Sequence, residues 1–426
     1  MNKYTHALPG PEDITRVALK NGITILARPN SNSPSVYVNG YLSVGSLFDP
    51  DEKLGLSDFT ASALMRGTAK RNFQEIYDAL EGTGASLGFG GGTHTTSFSG
   101  KALSEDIDLL LGLISEALRE PVFPLEHIER LRAMYLTGLA IRAQDTEEMA
   151  SLKLDQIIYR DHPYNRPEDG YPETISAISQ EDILLFHRQH YGPRGMVMAI
   201  VGAIQPNDIV NKIVKVLGDW NNPLQPGPIN LPELSHLEAQ AKERVVIPGK
   251  SQAEILIGVP GPNRKSSDFL ASALGNNILG QFGMSGRVGK AVREEAGLAY
   301  YAYSSLNGGM GPGPWTVTAG VAPSNVDEAI NIIFGELDRF TNELVSETEL
   351  EDSQSNFIGR LPLSLESNPG VAGALINLEK YALGLDYYQR YPDLIRSISR
   401  HDILKAAQNY LHSNWFGVVT AGTFQE

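Results

Sequence analysis

Residues 57–64 read SDFTASAL, and residues 267–274 read SDFLASAL. Seven of the eight letters agree at a separation of 210 positions. The small and apolar residues of the first copy recur at helical spacing, so we expect a packed helix there. A repeat of this kind predicts that the chain is one structural unit written twice.

Further matches follow in the same order and at nearly the same offset. The segment 178–184 recurs at 398–404, with Ile, Ser, Asp, Ile and Leu in the same places. Gly202 and Gly422 each close a strand-like run, again 220 residues apart. Several ordered matches with a slowly drifting offset indicate a duplication followed by small insertions.

Length and composition predict two domains of similar size. At 426 residues the chain is longer than one ordinary core supports. Residues 221–243 contain four prolines and little apolar periodicity, which is typical of a linker. We therefore predict an N-terminal domain at 1–225, a linker at 226–242 and a C-terminal domain at 243–426. Each half mixes strand pairs with several helices, which predicts an α+β class.

The bulk composition excludes several functions. The net charge of −15 argues against non-specific nucleic-acid binding, which requires a basic surface. The chain has no cysteine and therefore neither a thiol nucleophile nor a thiolate metal site. No apolar run has the length of a membrane span, and the first residues lack the apolar core of a signal peptide. We expect a cytoplasmic protein without a membrane partner.

The sequence resembles the M16 (pitrilysin/insulinase) metallopeptidases along nearly its whole length. The quoted matches are GLSDFTASALMRGT at 55–68, Val-Gly-Ser at 44–46, His-Pro-Tyr at 162–164 and FGMSGRVGKAVREEAGLAYYAYS at 282–304. The resemblance implies two homologous domains with the LuxS/MPP-like metallohydrolase fold. Each would have a roughly six-stranded sheet with helices packed on one face.

In active members of the family, an inverted HxxEH motif and a distal Glu surround a zinc ion. The two His and the distal Glu are the ligands, and the Glu between the two His is the general base. Alignment places the first His on Asp58, the Glu on Ala61 and the second His on Ser62. The distal Glu falls on Gly138, or on Leu139 if the alignment slips by one residue. The resemblance therefore implies that this chain binds neither zinc nor another cofactor.

A second pair of family positions is kept. Arg293 and Tyr300 have the spacing of an Arg and a Tyr that, in the family, bind the substrate carbonyl and stabilise the oxyanion. The residues alone leave another interpretation open, in which Arg293 forms ion pairs beside Glu294 and Glu295 and Tyr300 belongs to a strand core. Tyr301 and Tyr303 replace Tyr300 if the register slips.

These features lead to a functional hypothesis and two alternatives. The hypothesis is a non-catalytic subunit, inactive alone, in a heterodimer with an HxxEH-bearing M16 homologue that holds the zinc. In that pair Arg293 and Tyr300 would act in trans on a peptide substrate. The main alternative is an inert structural or peptide-binding scaffold, similar to respiratory-complex core subunits of this family. The other is an active enzyme with metal ligands relocated to His187 and His190, which form an HxxH pair.

Overall fold

The computed structural model describes residues 8–281 and 286–424, so residues 282–285 of the matched stretch 282–304 lie outside the described part. The chain forms two compact units. The first comprises Met1–Leu139, Pro167–Asn230 and Pro362–Gln389. The second comprises Ala140–Arg166, Leu231–Leu361 and Arg390–Glu426. Each unit thus contains one segment from the other half of the sequence.

The first unit is built on a six-stranded sheet in the order β1-β2-β6-β3-β5-β4. β2 and β6 are parallel, and the other neighbouring pairs are antiparallel. The strands are β1 Thr15–Ala18, β2 Thr24–Pro29, β3 Ser35–Leu42, β4 Ser86–Gly90, β5 Thr96–Leu103 and β6 Val197–Gly202.

The second unit repeats this arrangement with five strands in the order β7-β11-β8-β10-β9. β7 and β11 are parallel, as β2 and β6 are, and the other pairs are antiparallel. The strands are β7 Ala241–Val246, β8 Ala253–Pro260, β9 Ala299–Leu306, β10 Pro314–Val321 and β11 Gly417–Gly422.

Fifteen α-helices are assigned within the described residues. Those of the N-terminal half are α1 Leu56–Ala63, α2 Phe73–Thr83, α3 Ile107–Arg119, α4 Leu125–Arg142, α5 Thr146–Ile158, α6 Pro172–Ala177, α7 Gln180–His190 and α8 Pro206–Leu217. Those of the C-terminal half are α9 Phe269–Asn276, α10 Arg287–Gly289, α11 Val326–Asn342, α12 Glu347–Ser364, α13 Asn368–Lys380, α14 Tyr387–Arg396 and α15 Arg400–Tyr410. Two π-helical turns, Asn277–Gln281 and Lys290–Glu295, flank α10.

The repeated sequence segments occupy equivalent places in the two units. SDFTASAL forms most of α1, and SDFLASAL leads into and forms most of α9. Gly202 and Gly422 end the matching strands β6 and β11, with φ of 148° and 156°. A Cβ on Gly202 would lie 2.2 Å from the carbonyl oxygen of Ser35, so the close strand approach requires glycine there. The predicted α+β fold of two homologous domains is confirmed.

Each sheet carries most of its helices on one face, as predicted, and one helix from the opposite half of the sequence on the other. In the second unit, alternate residues of β8 face opposite cores. Ile255 and Ile257 lie in the main core, whereas Leu256 packs with Leu154 and Ile158 of α5. In the first unit, α13 packs against β3 and β6, and all six residues of β6 are buried.

Residues 221–240 contain neither helix nor strand, and no helix in the described part of the chain is long and apolar enough to cross a bilayer. The domain boundaries at residues 225 and 243 stay a prediction. The compact units differ from two contiguous halves because α5 and α13 each cover the sheet of the other half.

Candidate functional site

Helix α1 carries three of the four positions matched to the family's zinc site. It begins after Gly55, whose φ of 94° turns the chain into the helix. The carboxylate of Asp49, which is 4% exposed, accepts hydrogen bonds from the backbone N–H groups of Gly55 and Ser57, both at 2.9 Å. An acidic side chain at a helix N-terminus satisfies free N–H groups and favours the helix dipole. Asp49 therefore fixes the start of α1.

Asp58 and Ser62 on α1 are joined by the hydroxyl of Tyr135 on α4. Tyr135 Oη donates to Asp58 Oδ2 at 2.8 Å and lies 2.9 Å from Ser62 Oγ. The backbone N–H of Gly91 donates to Asp58 Oδ1 at 3.1 Å. When Asp58 is ionised, Tyr135 gives its single hydroxyl proton to the carboxylate, so Ser62 is the donor to Tyr135. Both carboxylate oxygens of Asp58 are thus engaged within the protein.

Burial dominates the titration of this network. It raises the pKa of Asp58, and the negative charge of Asp169 adds to the rise, while the hydrogen bonds from Tyr135 and Gly91 oppose it. Burial and the charge of Asp58 also raise the pKa of Tyr135 well above its usual value. The phenol is therefore protonated at neutral pH and serves as a hydrogen-bond donor.

The remaining matched positions offer no metal ligand. Ala61 is fully buried and apolar, and Gly138 lies on the exposed side of α4 without a side chain. Leu139, the alternative position, is buried and apolar as well. Across the described ranges 8–281 and 286–424, no three His, Cys, Asp or Glu side chains are grouped to hold a metal ion. The residues present do not fit the family's zinc.

A cavity of about 480 Å³ occupies this part of the first unit. Its lining includes Ala61, Ser62 and Gly138, together with Tyr135. Three of the four positions matched to the zinc site therefore line one cavity. The fourth, Asp58, accepts a hydrogen bond from Tyr135, which also lines it.

The HxxH pair on α7 packs against the core of the first unit. The Nε2 atom of His187 lies 3.0 Å from the carbonyl oxygen of Leu118, and its ring stacks on Tyr191. Burial lowers the pKa of His187 to about 4, so the imidazole is neutral. The ring of His190 packs against Phe186. These packed positions do not favour relocated metal ligands.

Arg293 lies in the second unit, within the π-helical turn Lys290–Glu295. Its guanidinium has neither a hydrogen-bond nor an ion-pair partner among the residues that the structure describes, although Glu294 and Glu295 follow it directly. Lys290 approaches Glu295 instead, at 3.8 Å. Widened helical turns occur frequently at functional sites. The charge of Arg293 is thus left available.

Tyr300 is the extra residue of a β-bulge. In the β9–β10 register, Tyr301 pairs with Gly320 and Ala299 with Val321, which leaves Tyr300 without an opposite residue. Its side chain is 76% exposed. β9 is also the end strand of its sheet. Bulges at sheet edges redirect a side chain away from the regular alternation, which accounts for the exposure of this large aromatic residue.

The neighbouring tyrosines are engaged within the second unit. Tyr301 donates to Glu254 Oε2 and Tyr303 to Glu147 Oε1, each at 2.6 Å. Glu254 is 3% exposed, and burial raises its pKa to about 7. No hydrogen bond of the Tyr300 hydroxyl is found within the described part of the chain. Of the three candidates, Tyr300 alone presents a free phenol.

Two interacting residues were missed in the sequence. Tyr135 precedes Gly138 by three positions on α4, a spacing that places both on one helix face and could have revealed it. The sequence gave no such signal for Asp49, because this residue lies outside α1. It reaches the backbone N–H of Gly55 only because the intervening turn brings it there.

Sequence profiles of the M16 family match most of the chain. Residues 24–168 match the profile described as insulinase (peptidase family M16), and residues 177–357 match the profile described as peptidase M16 inactive domain. The chain therefore belongs to the M16 peptidase family.

Similar sequences agree with this assignment, and solved structures share the fold. An uncharacterized zinc protease of Streptomyces coelicolor is 26% identical over 367 residues, which are 85% of this chain and 79% of that protein. One of Rickettsia felis is 23% identical over 403 residues, covering 93% and 94%. A peptidase M16 inactive domain from Pseudomonas fluorescens superposes with a TM-score of 0.90 at 23% identity, covering 97% and 99%. A protease from Helicobacter pylori gives 0.89 at 18% identity, covering 97% and 100%.

Proposed function

We propose that this chain is the non-catalytic subunit of a heterodimeric M16 peptidase. The partner would be an HxxEH-bearing homologue that supplies the zinc and the general base for peptide cleavage. This chain would supply Arg293 and Tyr300. One observation carries the proposal: Arg293 and Tyr300 have unengaged polar groups, and each lies at an irregularity of the backbone. Neither side chain has a hydrogen-bond or ion-pair partner among the described residues, and they lie on a π-helical turn and a β-bulge.

The chemistry of the two side chains suits this role. Arg293 has a permanent positive charge and several N–H donors, and Tyr300 has a neutral hydroxyl donor. Donors of this kind bind a peptide carbonyl oxygen and bind it more strongly as it gains negative charge. At the zinc-matched positions this chain has instead Asp58, Ala61, Ser62 and Gly138, which lack the His ligands and the Glu base of the HxxEH motif. The two halves of the catalytic apparatus would therefore reside on different chains.

The test is peptide cleavage by the purified pair of this chain and its HxxEH homologue. Replacing Arg293 with Ala or Tyr300 with Phe should lower turnover by about 10²–10³-fold, the usual effect of losing one oxyanion donor. Tyr303→Phe, on the same strand, and Arg360→Ala, an exposed position on α12, are the matched controls and should retain activity. Full activity of both Arg293→Ala and Tyr300→Phe would remove the role in trans and favour the scaffold alternative.

Metal analysis provides an independent test. The isolated chain should contain no stoichiometric zinc after dialysis against trace zinc, because a tight protein site requires several His, Cys or carboxylate ligands. The heterodimer should contain one zinc, and a chelator should abolish its activity. One tightly bound zinc per isolated chain would contradict the proposal.

A further inference from the structure

We propose that Tyr301 and Glu254 are positioning residues for Tyr300, because their hydrogen bond holds the β-bulge of β9 that turns Tyr300 outward. This inference deepens the proposed function and rests on it for the role of Tyr300 as a donor. Tyr301 and Glu254 would not touch the substrate themselves. They would act through the backbone of β9, which they fix on the opposite face of the sheet.

The backbone of the bulge is less constrained than a regular ladder, because Tyr300 has no opposite residue. Tyr301 follows directly and is paired with β10. Successive side chains of a strand point to opposite faces, so the direction of Tyr300 is coupled to that of Tyr301. The two rings stand nearly perpendicular, at 82° with centroids 6.5 Å apart. A contact that fixes Tyr301 therefore limits the directions that are open to Tyr300.

Gly320 of β10 provides the space in which the ring of Tyr301 lies. It pairs with Tyr301 of β9 on one side and with Glu254 of β8 on the other. A Cβ on Gly320 would lie 2.8 Å from the Cε1 and Cζ atoms of Tyr301 and 3.0 Å from its hydroxyl oxygen. Glycine in a strand often marks such a close approach. Because the ring lies across this glycine, its hydroxyl reaches a strand that is not the neighbour of β9.

Glu254 depends on this one donor. Its Oε2 atom accepts the hydrogen bond from Tyr301 at 2.6 Å, whereas its Oε1 atom is buried and has no hydrogen-bond partner among the described residues. The residue is 3% exposed, so water does not replace the missing bonds. A buried carboxyl group without hydrogen bonds is costly. The bond from Tyr301 is therefore the one that compensates for lost hydration, which holds the ring of Tyr301 in place.

The groups around Glu254 make the strength of this bond depend on pH. Burial raises the pKa of Glu254 to about 7, and the bond from Tyr301 opposes the rise. The negative charges of Glu147 and Asp145 on α5 add to it. Tyr303, the other tyrosine on this face of β9, is bonded to Glu147. Since a hydrogen bond to an ionised carboxylate is stronger, Tyr301 should be held most firmly above pH 7. The residues opposite Glu254 on β10 and β11 are Gly320 and Ala421.

The first test observes position 300 in the purified chain alone. 4-Trifluoromethylphenylalanine at this position gives a fluorine resonance that reports the surroundings of the side chain and does not itself titrate. We expect one narrow resonance in the otherwise unchanged chain. It should shift and broaden in Tyr301→Phe, and also in Gly320→Ala, which displaces the ring of Tyr301 without removing a polar group. Tyr303→Phe removes an equally short tyrosine–carboxylate bond on the same strand and should leave the resonance unchanged. On titration the resonance should move with a midpoint at about pH 7, and Glu254→Gln should abolish this movement.

The second test is a double-mutant cycle in the heterodimer, which shows whether Tyr301 acts through Tyr300. Tyr301→Phe should lower kcat by about 10-fold or more, because a small displacement of a catalytic group is costly. The change in KM should be smaller, since the lost contact belongs to the transition state. Adding Tyr301→Phe to Tyr300→Phe should lower kcat by less than about 2-fold further, because the positioned hydroxyl is already absent. Tyr303→Phe is again the control that should retain activity.

Three outcomes would each overturn the inference. They are a fluorine resonance that Tyr301→Phe and Gly320→Ala leave unchanged, an unchanged kcat in Tyr301→Phe, and a full additional loss of kcat in the double variant. Failure of the proposed function has a different signature. Full activity of Tyr300→Phe would remove the role in trans, whereas the fluorine spectra of the isolated chain would still decide whether Tyr301 and Glu254 orient this side chain.

Discussion

At the scale of single residues, the hydroxyl of Tyr135 connects the polar side chains that remain on α1. A carboxylate as buried as that of Asp58 is costly unless hydrogen bonds compensate for lost hydration. Tyr135 and the backbone of Gly91 provide those bonds. The chain thus accommodates a buried acid at the position matched to the first His of the HxxEH motif.

Tyr135→Phe should therefore destabilise the protein. The substitution leaves one oxygen of Asp58 without its donor in a buried environment, and the expected loss is about 1–3 kcal/mol in the free energy of unfolding. The measurement is urea unfolding at pH 7. Tyr77→Phe is the control, because Tyr77 lines the same cavity and its hydroxyl has no hydrogen bond within the described residues. Equal losses in the two variants would contradict the assigned role.

The sequence identified Tyr300 as a candidate site residue, but it did not predict the surroundings of its side chain. Spacing from Arg293 left Tyr301 and Tyr303 open as rivals. The bulge separates them, because it turns Tyr300 outward while Tyr301 and Tyr303 donate to the carboxylates of Glu254 and Glu147. A bulge depends on the register with β10, which the local pattern of β9 does not contain.

At the scale of secondary structure elements, helix starts were encoded locally. The repeated Ser and Asp of segments 178–184 and 398–404 form a capping box at the start of α7 and of α15. In each, the serine hydroxyl accepts from the backbone N–H of the aspartate, whose carboxylate accepts from the serine N–H. Because the box needs only residues three positions apart, sequence alone is sufficient to place it.

Helix α5, which packs against the sheet of the second unit, carries a carboxylate that this packing buries. It carries Asp155, whose carboxylate has no hydrogen-bond or ion-pair partner among the described residues. Burial raises the pKa of Asp155 to about 7. The folded state therefore holds this proton more tightly than the unfolded chain. The contribution of Asp155 to stability is highest at low pH and is lost as the pH rises towards 7.

Asp155→Asn should consequently change the pH dependence of stability. Asn removes the charge that the folded state disfavours. The difference in free energy of unfolding between the variant and the parent should therefore rise in favour of the variant by about 1–3 kcal/mol from pH 5 to pH 8. Denaturant unfolding at the two pH values measures this difference. Asp352→Asn, at an exposed position of α12, should show no such change. The same gain at both pH values would indicate that ionisation of Asp155 is irrelevant.

At the scale of the whole molecule, each half of the sequence contributes a helix to the unit of the other half. Asn368 at the start of α13 bonds Asn30 at 2.7 Å, and Glu379 near its end pairs with Arg16 of β1 at 2.5 Å. In the second unit, Leu154 and Ile158 of α5 pack in a common core with Leu256 of β8. Neither half of the sequence contains all the groups that bury its own sheet.

The halves should therefore fold only together. Fragments 1–230 and 231–426, purified separately, should each lack a cooperative unfolding transition, since each sheet would expose an apolar face. An equimolar mixture should recover near-ultraviolet circular dichroism and elute as one complex. The control is the intact chain cleaved within residues 221–240, which lack regular structure and should tolerate a cut. Cooperative unfolding of fragment 1–230 alone, at the midpoint of the full chain, would show that α13 is dispensable.

Sequence by itself determined the duplication and the α+β class, and the capping boxes of α7 and α15 could be placed from it. These features follow from residue identity and from spacings of a few residues along the chain. The tertiary structure alone decided that Tyr135 bonds Asp58 across 77 positions, that Tyr300 bulges outward and that α5 and α13 are exchanged. It also decided that Ala61, Ser62 and Gly138 line one cavity. Such features depend on contacts between distant segments, which no local pattern specifies, because packing, register and burial arise only when the segments meet.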